Sequence, residues 1–317
     1  MKKKNNPAII AAAAVFSIVL LAGCQELPGK EAADNQLEQR ISGTFAEEAA
    51  AAVKQGISNA ATAAGDVVQN TAGQLQDKLN SHGISREFTT SLPADSASVL
   101  QLENAVGEVS VTSASGDEIE VKATVIVYEN KDHDTVAGVL DHAEVSIEHK
   151  GDALIVSTHS PDNPKKNIWE WAQQEYGDSN FSINYEIALP DTVNRFEVDN
   201  NVGTVQLSGL EGTFKVNSNV GSIILQDTVF TGKSSVESNT GSIELGIAGM
   251  DSGSSLKAKS EIGKIGADLA DSLPCTVKAS SELGHISGTG DGKTKDFNGG
   301  GPLITLNTQI GAISVHQ

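Results

Sequence analysis

Asn201-Val202-Gly203-Thr204-Val205-Gln206-Leu207 is followed by Asn219-Val220-Gly221-Ser222-Ile223-Ile224-Leu225 and then by Asn239-Thr240-Gly241-Ser242-Ile243-Glu244-Leu245. Three looser copies come next: Glu261-Ile262-Gly263-Lys264-Ile265, Glu282-Leu283-Gly284-His285-Ile286 and Gln309-Ile310-Gly311-Ala312-Ile313. Their glycines stand 18, 20, 22, 21 and 27 residues apart. An earlier relative is Ala105-Val106-Gly107-Glu108-Val109-Ser110-Val111. The flanks repeat as well. Seven residues before each glycine stand Phe196, Phe214, Ser234, Leu256, Val277 and Ile304, and five before stand Val198, Val216, Val236, Ala258, Ala279 and Leu306. Two after it stand Val205, Ile223, Ile243, Ile265, Ile286 and Ile313. Alternating apolar positions on both sides of a fixed glycine describe a strand, a corner and a second strand.

A meander of hairpins has no need of the same residue at every corner. A coil that adds one layer per copy does, because layers about 4.8 Å apart set equivalent positions above one another. The predicted fold is therefore all-β: a parallel β-solenoid with rungs of about 20 residues, regular over 194–317. Glycine at the corner permits φ > 0 or close backbone approach. Asn201, Asn219 and Asn239 would stack as an amide ladder, giving a structural turn ladder with Gly203, Gly221, Gly241, Gly263, Gly284 and Gly311. Residues 84–190 are β-rich but irregular. Ile119, Val121, Ala123, Val125 and Val127 alternate, as do Phe181, Ile183, Tyr185, Ile187 and Leu189, and a hairpin is expected around Lys150-Gly151-Asp152. The Gly107 copy is expected to be the first rung, with longer excursions between rungs, so that 84–317 forms one domain.

The N-terminus reads as a targeting segment. Lys2, Lys3 and Lys4 precede an apolar run, Pro7 to Ala22, that is short of the roughly 20 residues a spanning helix prefers. It ends in Leu21-Ala22-Gly23-Cys24. This resembles the lipobox of bacterial lipoproteins, which implies a signal peptide over 1–23 and lipidation at Cys24. The expected location is extracytoplasmic, with the chain lipid-anchored to the bacterial cell membrane. Residues 24–83 follow as a partly helical stalk, in which Leu37, Ile41, Phe45, Ala49, Val53 and Ile57 recur every four. With Cys24 lipidated, Cys275 has no intrachain disulfide partner and reads as a small buried hydrophobe.

The chain carries 22 basic and 41 acidic residues, a net charge of −19 that becomes −22 once Lys2–Lys4 are removed. Such a balance argues against nucleic acid and anionic lipid surfaces as partners. Few aromatics (4%) and many glycines (31) suit thin β-layers.

The early Val-Gly-Glu-Val-Ser-Val segment (106–111), the strand Tyr185-Glu186-Ile187-Ala188-Leu189-Pro190 and the Asn-x-Gly-x-Ile copies together resemble the bacterial putative-adhesin family over residues 95–317. The resemblance implies a solenoid domain with no catalytic residues to carry over. The expected role is non-enzymatic: binding or structural display at the envelope, toward a glycan or a membrane or surface protein. A sensory module of an envelope-stress system is the alternative, and a carbohydrate-active enzyme the third.

No cofactor or metal motif is present in the sequence. Glu261 and Glu282 share a repeat position and would be a possible carboxylate pair, though Asn and Gln elsewhere in that column suit a turn role. Gly288-Thr289-Gly290-Asp291-Gly292-Lys293-Thr294 is one residue short of a phosphate loop and reads as a flexible loop. Asp132, His133, Asp134 and His142 lack ligand spacing and read as a solvated loop. Trp169, Trp171 and Tyr176, in a polar insert between Pro164 and Gly177, are the candidate ligand-binding aromatics, with capping of an open sheet end as the other reading.

Overall fold

A computed structural model describes residues 83–128, 133–177, 179–290 and 293–317; the expected signal peptide (1–23), Cys24 and the expected stalk up to residue 82 lie outside them. The described chain is β apart from two short helices, α1 (His133–His142) and α2 (Ile168–Tyr176). The segment expected to be a loop around His142 is therefore α1. Its apolar face explains this, since Val136, Val139 and Leu140 are buried.

Two sheets carry the fold, one built from the segments before each corner glycine and one from those after it. In the first, Arg195–Val202, Glu211–Val220, Lys233–Thr240 and Ser255–Ile262 run parallel, with Val198 opposite Val216, and Val236 opposite both Val216 and Ala258. In the second, Val205–Ser208, Ile223–Phe230, Ile243–Met250 and Ile265–Leu269 run parallel, with Val205, Ile223, Ile243 and Ile265 in line. All eight of these apolar side chains are fully buried. Burial of a Val, Leu or Ile contributes about 1.5–3 kcal/mol, so repetition of one inward column builds the core. Phe196 and Phe214 stack within it, ring centroids 5.0 Å apart.

Both ends depart from sequence order. The Gly107 copy does stack on the Gly203 copy, through Leu102 opposite Val198 and Val109 opposite Val205. It is not the first layer, however. The chain returns on its outer side, with Leu154 opposite Leu100 and Tyr185 opposite Val109. Antiparallel strands extend this end: Glu118–Tyr128 and then Gly83–Pro93 in one sheet, and Glu144–Lys150, joined by the Gly151 turn, in the other.

At the far end the last copy of the sequence is not the last layer. Leu306 lies opposite both Ala258 and Ala279, and Ile313 opposite both Ile265 and Ile286. The Gly311 copy thus sits between the Gly263 and Gly284 copies. Edge protection gives the physical reason. At an edge the Gly311 copy would leave the backbone groups of its four-residue second strand, Ile313–His316, without a partner on one side. The Gly284 copy takes the edge instead. Its second strand is only Ile286–Ser287, and its first is covered by the antiparallel strand Thr294–Phe297. Neither sheet closes on itself.

The corner glycines sit at φ between 132° and 152° in the copies at 107, 203, 221, 241, 263 and 311, a region that L side chains rarely adopt. A Cβ on Gly221 would collide with the carbonyl oxygen of Gly203, and one on Gly241 with that of Gly221. Gly221→Ala is therefore expected to cost about 3 kcal/mol or more in a urea denaturation of the protein, while Gly253→Ala, where a Cβ meets nothing within 4 Å, should shift the midpoint by less than about 0.5 kcal/mol.

Candidate functional site

Each corner glycine is held from both sides. Its N–H donates to the residue before the neighbouring glycine: Gly203 to Val220 O (2.9 Å), Gly221 to Thr240 O (2.9 Å), Gly263 to Ile310 O (2.9 Å) and Gly311 to Leu283 O (2.9 Å). Its carbonyl points at the glycine of the adjacent layer, where only a hydrogen-sized side chain leaves room. At the carbonyls of Gly107, Gly241, Gly263 and Gly311 a polar residue three positions before that adjacent glycine donates, whereas Ser218 makes no such bond to Gly203 O. Asn200 Nδ2 donates to Gly107 O (3.2 Å), Ser260 Oγ to Gly241 O (3.1 Å), Thr308 Oγ1 to Gly263 O (3.1 Å) and Ser281 Oγ to Gly311 O (2.9 Å). Sequence reading missed this column, although Asn104, Asn200, Ser218, Ser238, Ser260, Ser281 and Thr308 all stand at the same offset. The signal was a small polar residue recurring at a position whose alternation faces the core.

Outside the corner, Asn239 Nδ2 donates to Asn219 Oδ1 (2.9 Å), and Asn219 Nδ2 in turn donates to Asn201 Oδ1. These amides are exposed. On the same outer face Asn217 Nδ2 donates to Asp199 Oδ1 (2.7 Å) and Gln101 Nε2 to Glu197 Oε2 (3.0 Å). The strand order separates Glu261 from Glu282. Gln309 stands between them, and a Glu261 carboxylate oxygen lies 3.6 Å from Lys259 Nζ. The two carboxylates are two layers apart and form no neighbouring pair.

The aromatic insert belongs to the opposite end. Asn167 caps α2, accepting from the Glu170 N–H at 2.9 Å, and Gly177 ends it at φ 68°. Trp171 is buried, 7% exposed, and meets Tyr176 edge-on at 5.6 Å and His142 of α1 at 5.4 Å. Trp169 stacks on Phe181 at 5.5 Å and donates its Nε1–H to Phe181 O (3.4 Å). Tyr176 lies over Gly138 of α1, where a Cβ would strike its hydroxyl. Trp169 and Tyr176 remain partly accessible. In the same region the Tyr185 phenol is fully buried against Thr158 (2.6 Å), and burial pushes its pKa well up.

A cleft of about 350 Å³ lies on the side away from the glycine corner. Asp191, which accepts from Ser113 Oγ at 2.7 Å, and Glu211 face it, but none of its lining residues is Lys, Arg or His. It therefore lacks the cationic base that a polysaccharide lyase places beside its carboxylates. Of the loop that approximates a phosphate loop, Asp291 and Gly292 lie outside the described residues, and Thr294 opens a strand rather than a helix. Among the described residues no helix is long and apolar enough to cross a membrane.

No model of a known protein family matches the sequence, and no curated protein matches it. Among solved structures, the chain is similar to a putative cell adhesion protein from Clostridium sporogenes, at 14% identity over 74% of this chain and 100% of that one, TM-score 0.35. It is also similar to a putative adhesin from Bacteroides fragilis, at 16% identity over 73% and 97% of the two chains, TM-score 0.36. A putative lipid binding protein from Parabacteroides distasonis matches at 12% identity over 75% and 98%, TM-score 0.28.

Two outcomes test the corner. Ser260→Ala removes a buried donor and should cost about 1–3 kcal/mol by denaturant unfolding, whereas Ser218→Ala, whose hydroxyl has no partner, should be close to neutral. Cys275 is buried, and that burial, helped by Asp296, pushes its thiol up to about 11. It therefore stays protonated at neutral pH. A thiol reagent at pH 8 should leave Cys275 unlabelled in the folded protein and label it fully in denaturant.

Proposed function

We propose that the chain is a non-enzymatic envelope lipoprotein, anchored through a lipid on Cys24, whose folded part is a parallel β-solenoid that displays polar side chains in adhesin-like fashion. The observation that carries the reading is the in-register parallel stacking of the glycine copies. It turns each outward repeat position into a straight column, such as Asn201-Asn219-Asn239, and so yields an ordered surface rather than a pocket. Extended arrays of this kind suit a ligand that is itself extended and repetitive, and an envelope glycan or a surface protein is the partner class this implies. Trp169 and Tyr176, where accessible, supply an aromatic contact at one end of the array.

Anchoring and binding are tested separately. In cells fed a clickable palmitate, the wild-type protein should be labelled and recovered with membranes, and Cys24→Ser should be neither. In a screen of envelope glycans and surface components, the protein should bind at least one, with binding reduced by Trp169→Ala. Failure to bind any component would end the adhesin-like reading, and an unchanged Trp169→Ala variant would remove the aromatic contact from it.

A further inference from the structure

The strand order creates one column that the sequence order hides. Register places Lys215 beside Ser235, Ser235 beside Lys257, Lys257 beside Thr305, Thr305 beside Lys278, and Lys278 beside Thr294. Read across six strands, the column is Lys-Ser-Lys-Thr-Lys-Thr. In sequence order Lys257 and Lys278 would be adjacent and the alternation would be lost. It exists only because the Gly311 copy inserts between the other two. Lys215, Lys257 and Lys278 are exposed, and successive ammonium groups stand two strand spacings apart, about 10 Å.

The surroundings favour anions despite the acidic chain. Across the six segments 213–220, 233–240, 255–262, 303–310, 276–283 and 294–297 the charged residues are Lys215, Lys233, Lys257, Lys259, Lys278 and Lys295 against Glu237, Glu261, Glu282 and Asp296. Beyond Lys215 the column turns acidic at Glu197, which fixes one end of the stripe. No ion pair among the described residues engages Lys215, Lys233 or Lys278. Lys257 lies 3.5 Å from Glu237 and Lys259 lies 3.6 Å from Glu261, in solvent-accessible pairs of the kind that contribute little to stability and are readily exchanged for a ligand anion. With a screening length of about 8–10 Å at physiological ionic strength, a bound anion senses this stripe more than the distant acidic loops.

Resting on the display reading above, we propose that this column is a binding track for a linear anionic glycan carrying one carboxylate per disaccharide. An extended β-linked chain advances a distance comparable to two strand spacings per disaccharide. Each carboxylate then meets a lysine, and each uncharged sugar meets Ser235, Thr305 or Thr294; the threonine hydroxyls can both donate and accept, while Ser235 Oγ, which donates to Glu237 Oε1 at 3.0 Å, offers its acceptor side. Lysine supplies the charge as a mobile point donor, which tolerates the imperfect register of a flexible polymer.

The test uses the full protein and hyaluronan octasaccharide as probe, with an uncharged maltodextrin as control, read by calorimetry. The wild type should bind hyaluronan, weaken as salt is raised, and ignore maltodextrin. The triple variant Lys215→Gln, Lys257→Gln, Lys278→Gln should bind at least about tenfold more weakly with an unchanged melting temperature. A second variant, Ser235→Lys with Lys257→Ser, keeps the net charge and breaks the alternation, and should lose affinity as well. Equal affinity of this swapped variant would overturn the period match, and equal affinity of the triple variant would overturn the track. Absence of hyaluronan binding also overturns it. If a neutral envelope glycan still binds in that case, the display reading stands without the lysines; if nothing binds, both fall.

Discussion

Each corner glycine puts its carbonyl oxygen where the side chain of the next glycine would be. This steric exclusion sets the rest of the molecule. It fixes which residue stands above which, because only the glycine of one copy can accept the oxygen of another. It also fixes direction, since N–H groups donate toward one neighbour while the carbonyls of the same residues face it at the Cα. Once glycines are superposed, the apolar positions five before and two after must coincide as well, and the core follows as stacked columns.

The polar column three residues before each glycine is the counterpart of that exclusion. A carbonyl wedged against a neighbouring backbone inside a sheet corner is cut off from water, and an unsatisfied buried carbonyl costs on the order of 1–3 kcal/mol. Ser260, Ser281 and Thr308 remove that cost with the smallest side chains that donate. Near the aromatic end the donors are Asn104 and Asn200, whose longer amides reach the same kind of oxygen but leave their own Oδ1 atoms without partners.

Much of this was legible in the sequence, and the illegible part has a common cause. The corner glycines, the flanking alternation, the Gly151 turn and the long alternating strands announce themselves because each depends on local backbone geometry. Layer order does not. Copies ending at Gly263, Gly284 and Gly311 are equally able to lie beside one another, and what decides among them is edge protection, a property of the whole stack. The four-residue strand Ile313–His316 would expose more unpaired backbone at an edge than the two-residue strand Ile286–Ser287 does. The same cause hid α1, whose short apolar face has meaning only against the core it covers. It also separated Glu261 from Glu282 and assembled the alternating lysine column, so the surface chemistry is a consequence of edge management.

Disulfide trapping reads the layer order directly. In a Cys275→Ala background, Lys257→Cys with Thr305→Cys places two cysteines on adjacent parallel strands, within the roughly 4.4–6.8 Å Cα separation that a disulfide spans, while Lys257→Cys with Lys278→Cys places them two layers apart. Oxidation of the folded protein should close the first pair and leave the second open. Closure of the 257–278 pair with the 257–305 pair left open would mean that the copies stack in sequence order, and would contradict the structure on which the proposed surface rests.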